Sequence, residues 1–340
     1  MASIITLAES GWIPDSLVRV GIRQLVKQRL REEMRQPAAM KQERTQALRD
    51  SEIALHTDAA NEQHYEVPTA FFQYALGPRL KYSACIYPSA TASLADAELN
   101  TLALYKRRLD IQPGDSVLDL GCGWGSFSLW LAEQEPEVTI TAVSNSATQR
   151  HYIESQIETL GLTNLRVVTA DVNELDLPPG SFDKVISVEM FEHVRNYAAL
   201  MARIAQWLKP GGHLFVHIFC HKDLIYPFEV EGESNWMGRY FFTGGLMPAA
   251  DTLPAFQDDL KLEEKWVHDG THYERTARHW LENMDARAEQ VMMPLNEAYG
   301  AEQAKIWQQR WRMFFMACEE MFAYAKGSEW QVAHYRFVKS

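Results

Sequence analysis

Cysteine is scarce and scattered. The four in the chain, Cys85, Cys122, Cys220 and Cys318, stand far apart and form no C-x-x-C pair. Neither a zinc site nor a disulfide framework is indicated, and a reducing compartment, the cytoplasm, is the expected setting. Positive charge is also short: 33 Lys and Arg face 45 Asp and Glu, for a formal net charge of -12. Nucleic-acid binding needs cations to neutralise phosphates, so it is excluded as a general function. Nothing approaches the ~18 consecutive apolar residues of a membrane-spanning helix. The short apolar run at Ile4, Ile5 and Leu7 lacks a basic flank and a long apolar region, so no signal peptide is expected. No internal repeat or low-complexity tract occurs. What remains is an ordinary globular composition, 46% hydrophobic and 23% charged over 340 residues, enough for one large or two ordinary domains.

The chain is organised around Val117 to Phe127, which reads VLDLGCGWGSF. Apolar residues around Asp119 predict a short buried strand. Gly121, Gly123 and Gly125 predict a turn whose backbone comes close to a ligand, because a Cβ would block both the tight turn and the approach. Ser126 to Glu133 has helical spacing. Strand, glycine turn and helix form the entry to a nucleotide-type site in a doubly wound α/β domain. The spacing is G-x-G-x-G, which is neither the dinucleotide fingerprint nor a P-loop. With Asp119 two residues before the first glycine, the set D-x-G-x-G-x-G resembles motif I of the class I S-adenosylmethionine (SAM) methyltransferases.

β-rich runs place further strands at Thr139 to Val143, Leu165 to Thr169, Lys184 to Val188 and His213 to His217, the last after a turn at Leu208 to Gly212. Helices at 92 to 109, in the gaps, and at Tyr197 to Leu208 alternate with them, so a parallel sheet with right-handed crossovers is expected. Leu260 to Val267 reads as a sixth strand and Trp330 to Val338 as the last, with helices near 272 to 298 and 301 to 325 between them. The expected fold is α/β: a Rossmann-like, mostly parallel seven-stranded sheet with an N-terminal helical extension. The expected domains are an N-terminal extension and cofactor lid (1–100), a SAM-binding core (101–220), and a substrate-covering insertion with helices and the last strands (221–340). Within the third, residues 221 to 256 are rich in aromatic residues and turn formers, a long excursion suited to covering a substrate.

Residues 15 to 50 are basic against the acidic whole: Arg19, Arg23, Lys27, Arg29, Arg31, Arg35, Lys41, Arg44 and Arg49, among Glu32, Glu33, Glu43 and Asp50. A helix capped at Asp15 or Ser16 carries Val18, Ile22, Leu25 and Val26 on one side. It is read first as a solvated helix packed on the main domain or on a partner subunit, as in a homodimer. The second reading is contact with an anionic membrane surface. Between 61 and 90, Tyr65, Tyr82 and Ser83 are either core under a loop or hydroxyl donors over a ligand. Periodicity alone does not choose.

A SAM site must answer an adenine, a ribose, a carboxylate, an amine and a sulfonium. The Gly121 to Gly125 backbone suits the methionine part, and Asp119 can order that loop. Asp171, just after the third strand, suits the adenine amino group, with Val172 beside it. The end of the second strand, where an acid normally meets the ribose, has none. Either this counts against SAM, or Ser144, Asn145 and Gln149 supply neutral hydrogen bonds instead. After the fourth strand comes Glu189-Met190-Phe191-Glu192-His193. Two carboxylates and an imidazole at the carboxyl end of a central strand stand where open α/β sheets bind ligands, and a helical turn would bring Glu189 and Glu192 to one face. Such a partly buried cluster shifts pKa values and can act as acid or base. A protonated amine must lose its proton before it can accept a methyl group, and Glu189, Glu192 and His193 fit that task.

These residues resemble the cyclopropane-fatty-acid-synthase-like methyltransferase superfamily. The matching signatures are His64 to Pro68 with Phe71-Phe72, Tyr82-Ser83, Val117 to Gly125, Met190 to His193, and His217. The missing strand-2 acid is a trait of that group. In its lipid-modifying members a bicarbonate held by Cys, Glu, His and Tyr acts as base on a carbocation. Here Ala84 takes the position of that cysteine and Phe314 that of the tyrosine, while Glu189 stands where cyclopropane synthases have glycine. A closer resemblance, from about residue 15 to the C-terminus, is to the coclaurine N-methyltransferase group, through Tyr65 to Pro68, Glu189 to His193, Cys220 to Lys222, Phe256 to Asp259 and Glu329-Trp330. It implies catalytic roles for Glu189, Glu192 and His193 and cofactor contacts at Tyr82, Ser83, Gly121, Ser144, Asn145, Gln149, Asp171 and Val172. The implied cofactor is SAM and the implied partner a small hydrophobic or aromatic amine. A lipid methyltransferase and a SAM-binding regulatory protein without turnover are the rival readings.

Overall fold

The computed structural model describes residues 4–53, 67–232 and 235–340. Tyr65 and its neighbours His64 and Glu66, singled out in the sequence, lie outside them. The sheet has seven strands: β1 (Ser116–Leu120), β2 (Thr139–Ser144), β3 (Leu165–Thr169), β4 (Phe182–Val188), β5 (Leu208–His221), β6 (Lys261–Asp269) and β7 (Trp330–Val338). Their order is β3-β2-β1-β4-β5-β7-β6. The first five run parallel, and β7 pairs antiparallel with both β5 and β6. This is the expected mostly parallel α/β sheet, with chain reversals confined to one edge.

The helices used below are α1 (Ile4–Glu9), α2 (Asp15–Met34), α3 (Ala38–Ala47), α4 (Thr69–Ala75), α5 (Leu94–Leu109), α6 (Ser126–Gln134), α7 (Ala147–Leu160), α8 (Tyr197–Trp207), α9 (Thr271–Ala286), α10 (Ala288–Tyr299) and α11 (Ala301–Ala323). Alternation along the strands decides which helix each residue meets. Val117, Ile186 and Phe215 face Leu102, Tyr105 and Leu109 of α5 and Phe127 of α6. Their neighbours Leu118, Val185 and Leu214 face Leu200, Met201 and Ile204 of α8. A third cluster lies over the carboxyl ends of the strands, where Phe71 and Phe72 of α4 meet Trp280 of α9 and Trp311 and Phe315 of α11. Cofactor turn, acid cluster and aromatic cover therefore meet at one end of the sheet.

Two boundaries differ from the sequence reading. Leu208 to Gly212 does not form a turn before β5 but a bulge inside it. Phe182 pairs with Leu208, and two residues later Lys184 pairs with His213. Gly211 takes a φ of +72°, which absorbs the extra residues. The single helix expected near 272 to 298 is two, α9 and α10, divided at Arg287, whose φ of −121° lies outside the helical range.

The basic N-terminal helix packs on its own chain. Arg19 reaches Glu319 and Glu320 of α11, and Arg23 reaches Glu320. Val18 and Leu30 are buried, whereas Leu17 and Val20 face outward. Among the described residues no helix is long and apolar enough to cross a membrane.

Candidate active site

A cavity opens at the carboxyl ends of β1, β2 and β4. Tyr82, Ser83, Asp119, Gly121, Gly123, Ser144, Asn145, Gln149, Val172, Glu189 and His193 all line it. Of the other sequence-selected residues, Asp171 and Glu192 are not on its wall. Asp171 Oδ1 instead accepts from the N–H of Asn173, closing a local turn.

The glycine turn behaves as its spacing requires. Gly121 has φ +80°, and a Cβ there would lie 2.7 Å from Cγ of Met190. Gly123 has φ +54°, yet a Cβ there would meet nothing within 4 Å. The first glycine is needed for packing against the acid cluster. The second leaves its backbone open to the cavity. Both the Gly121 and Cys122 N–H groups donate to the Val143 carbonyl, which ties the turn to β2. Asp119 is buried behind the turn and accepts from the Ser128 hydroxyl at 2.6 Å. Burial raises its carboxyl to about 6, with the Ser128 bond opposing.

The acid-free end of β2 is a chain of neutral bonds. Ser144 Oγ donates to Gln149 Oε1 at 2.7 Å and accepts from the Ser146 N–H at 3.0 Å. That leaves Gln149 Nε2 buried with no partner, and Trp124 Nε1 and Ser126 Oγ are in the same condition. All three residues line the cavity. Buried donors without acceptors are costly, so this wall is built for a ligand rich in polar atoms. SAM, with its hydroxyls, carboxylate and adenine nitrogens, fits it. On the opposite wall Lys81 Nζ donates to Ser83 Oγ at 2.7 Å and to the Ala84 carbonyl at 2.6 Å, fixing the segment that carries Tyr82 and Ser83.

Glu189 and Glu192 do not share one face. Glu189 ends β4 in the left-handed region, at φ +47°, and Phe191–His193 form a single 3₁₀ turn. The two carboxylates diverge and reach two same-side positions of β5. Glu189 Oε1 accepts from the Ala84 N–H at 2.8 Å and from His217 Nε2 at 3.1 Å. Its Oε2 accepts from the Tyr273 hydroxyl at 2.8 Å. Glu192 Oε1 accepts from the Phe219 N–H at 2.8 Å, while Oε2 is buried without a partner. Burial, and then the Glu189 charge, raise the Glu192 carboxyl well above its ordinary value. His193 is pushed down to about 4, by burial first and then by Arg195, with Glu189 opposing. It is therefore a neutral imidazole. Phe242, from the 221 to 256 excursion, stacks on it at 5.0 Å and 20°.

Sequence reasoning missed Tyr273, whose hydroxyl is the one that meets Glu189. Phe314, aligned above with the tyrosine of the bicarbonate cage, instead stacks on Phe241 at 4.3 Å. The missed signal was position rather than pattern. Tyr273 opens a strongly amphipathic helix and reads as ordinary core.

A SAM-binding turn, an acid cluster and an aromatic cover on this sheet define a SAM-dependent methyltransferase. Residues 54–332 match the mycolic acid cyclopropane synthetase family, and the chain belongs to it. It is 33% identical to (S)-coclaurine N-methyltransferase of Thalictrum flavum subsp. glaucum, over 100% of this chain and 96% of the relative. The crystal structure of a coclaurine N-methyltransferase bound to N-methylheliamine and SAH superposes with a TM-score of 0.94 at 32% identity, covering 99% of both chains. The cyclopropane synthase MmaA2 from Mycobacterium tuberculosis shares the fold, with a TM-score of 0.72 at 20% identity over 85% of this chain and 100% of that one.

Proposed function

We propose that the enzyme methylates the nitrogen of a hydrophobic or aromatic, isoquinoline-like amine, with Glu189, Glu192 and His193 as the acceptor-handling cluster. One observation carries the reading. A carboxylate held by three donors stands on the cavity wall beside a neutral imidazole and under aromatic rings. An amine arrives mostly as its ammonium form. Glu189 gives that ammonium a counter-charge in a low-dielectric setting, and the aromatic cover adds cation–π attraction. The ammonium gives up its proton to the carboxylate, directly or through His193, and its lone pair is freed. Glu192, turned away to the Phe219 N–H, leaves Glu189 as the carboxylate on the cavity wall. Bound in the glycine cavity, SAM supplies the electrophilic methyl group. The similarity to N-methyltransferases over the full chain supports the same reading.

The lipid reading is weaker on this geometry. In the lipid-modifying members the base is a bound bicarbonate, whereas the three donors of this site already hold a protein carboxylate. Labelled SAM, offered in parallel with a panel of secondary and tertiary cyclic amines and with unsaturated phospholipid vesicles, tests the proposal. Label is expected in the amines. Label in lipid alone would overturn it, and SAM binding without transfer to either would favour the regulatory reading.

A further inference from the structure

Behind Glu189 a line of rings crosses the sheet. His217 on β5 and His334 on β7 are direct register partners. His217 Nδ1 lies 2.8 Å from His334 Nε2 and 2.7 Å from the Tyr105 hydroxyl. His334 Nδ1 is in contact with Nη1 of Arg108, which also lies 3.0 Å from His268 Nε2. Both histidines are fully buried. Among the described residues no group of three or more ligating side chains is arranged to hold a metal ion, so the cluster reads as a hydrogen-bond chain.

The direction of that chain follows from its far end. A guanidinium only donates. Arg108 is pulled down to about 10, chiefly by burial, and is still a cation at neutral pH. Its donation leaves His334 Nδ1 as an acceptor, so the neutral His334 ring carries its hydrogen on Nε2. That hydrogen converges with the Tyr105 hydroxyl on His217 Nδ1, which is then the bare nitrogen whose lone pair they share, and the His217 hydrogen sits on Nε2, facing Glu189. Burial, Arg108 and Lys81 all oppose an extra proton on these rings. The Glu189 end demands the same arrangement, because a carboxylate needs a donor there.

We infer that Arg108 is a positioning residue for the reaction: acting through His334, it fixes His217 as the Nε2–H tautomer that holds the Glu189 carboxylate in place. The cation lies on α5, across the sheet edge from the cavity, and touches no cavity-lining side chain of the acid cluster. It is stacked over Trp266 at 4.4 Å, which holds it against β6. Its effect on rate rests on the proposed role of Glu189, but its effect on the tautomer does not.

The test uses full-length protein with ¹⁵N-labelled histidine. Pyrrole-type and pyridine-type ring nitrogens have well-separated shifts, and His217→Asn identifies the signal. In the wild type His217 is expected to show pyrrole-type Nε2 and pyridine-type Nδ1. Arg108→Met removes one of the two ends that set this tautomer, so an Nδ1–H population should appear beside the Nε2–H state and kcat should fall on the order of tenfold, the scale for removing a partner behind a site residue, with SAM affinity unchanged. Arg108→Lys keeps an obligatory donor and should restore both. His334→Gln keeps an N–H toward His217 and should retain more activity than Arg108→Met, which guards against a variant that merely packs badly. A wild-type His217 protonated on Nδ1, a tautomer unchanged in Arg108→Met, or a shifted tautomer with unchanged kcat overturns the inference. A fixed tautomer together with full activity in Glu189→Gln supports the tautomer assignment and overturns the role of Glu189 instead.

Discussion

Replacing Glu189 with glutamine separates charge from shape. Oε1 takes two backbone and ring donors, from Ala84 and His217, while Oε2 takes only the Tyr273 hydroxyl. A glutamine can therefore put its carbonyl oxygen on the first pair and its amide nitrogen toward Tyr273, whose rotating hydroxyl accepts as readily as it donates. The packing survives and the negative charge goes. A unit charge about 4 Å from an ammonium, at an effective dielectric of ~20, is worth about 4 kcal/mol. The cavity is open at its mouth, so about a third of that, ~1.4 kcal/mol, is the conservative loss, and it corresponds to about tenfold in rate. The assay is steady-state kinetics over amine concentration at saturating SAM, with SAM affinity measured separately by calorimetry. Turnover on the amine should fall at least about tenfold while SAM affinity stays close to wild type. A parallel loss of SAM affinity and rate would make Glu189 a cofactor or structural residue and would refute the argument.

Glu189→Gly leaves three donors facing a small hole and relieves a left-handed backbone. The variant should fold, lose most turnover, and regain part of it with added formate or bicarbonate; a folded variant that neither anion rescues would contradict the donor arrangement. His193 sits at about 4 rather than its ordinary value of 6.5, so it stays in its basic form down to about pH 4. The kcat profile at saturating amine should accordingly be flat between these values, and an acid limb at 6.5 would refute the depressed imidazole. The same depression has a stability consequence, since the unfolded chain binds the His193 proton first and this contribution is lost as pH falls from 6.5 toward 4. Gly121→Ala forces an L side chain to φ +80° against Met190, at a cost of at least ~1–2 kcal/mol; thermal melting should fall and SAM should bind more weakly, whereas unchanged SAM binding would remove the close-approach role of the turn.

The sheet was legible because its signals are local. Val117 and Leu118 alternate between two helix layers, and the glycine turn needs only its own spacing to be seen. The candidate cofactor wall followed for the same reason: Ser144, Asn145 and Gln149 all lie at or just after the end of β2. The failures belong to relations that no local spacing carries. Helical spacing put Glu189 and Glu192 on one face, but the left-handed residue at 189 breaks the helical frame. Tyr273 reaches Glu189 from 84 residues away, and His217 meets His334 across 117 residues. Antiparallel register between strands so distant is set by the whole edge of the sheet, not by either strand alone.

The strain at Glu189 explains why that residue, rather than its neighbour, carries the carboxylate on the cavity wall. A non-glycine residue in the left-handed region costs of order 1–3 kcal/mol and persists only where its surroundings over-determine it. Here the Glu189 N–H donates to the His217 carbonyl at 2.8 Å while the His217 ring meets the carboxylate of the same residue at 3.1 Å. One residue of β5 thus grips both ends of Glu189. Hydrogen bonds to a charged group contribute about 1.5–3 kcal/mol each, so the three on the carboxylate outweigh the backbone cost. The left-handed turn keeps the Glu189 and Glu192 carboxyls apart, one on the cavity wall and the other on the Phe219 N–H.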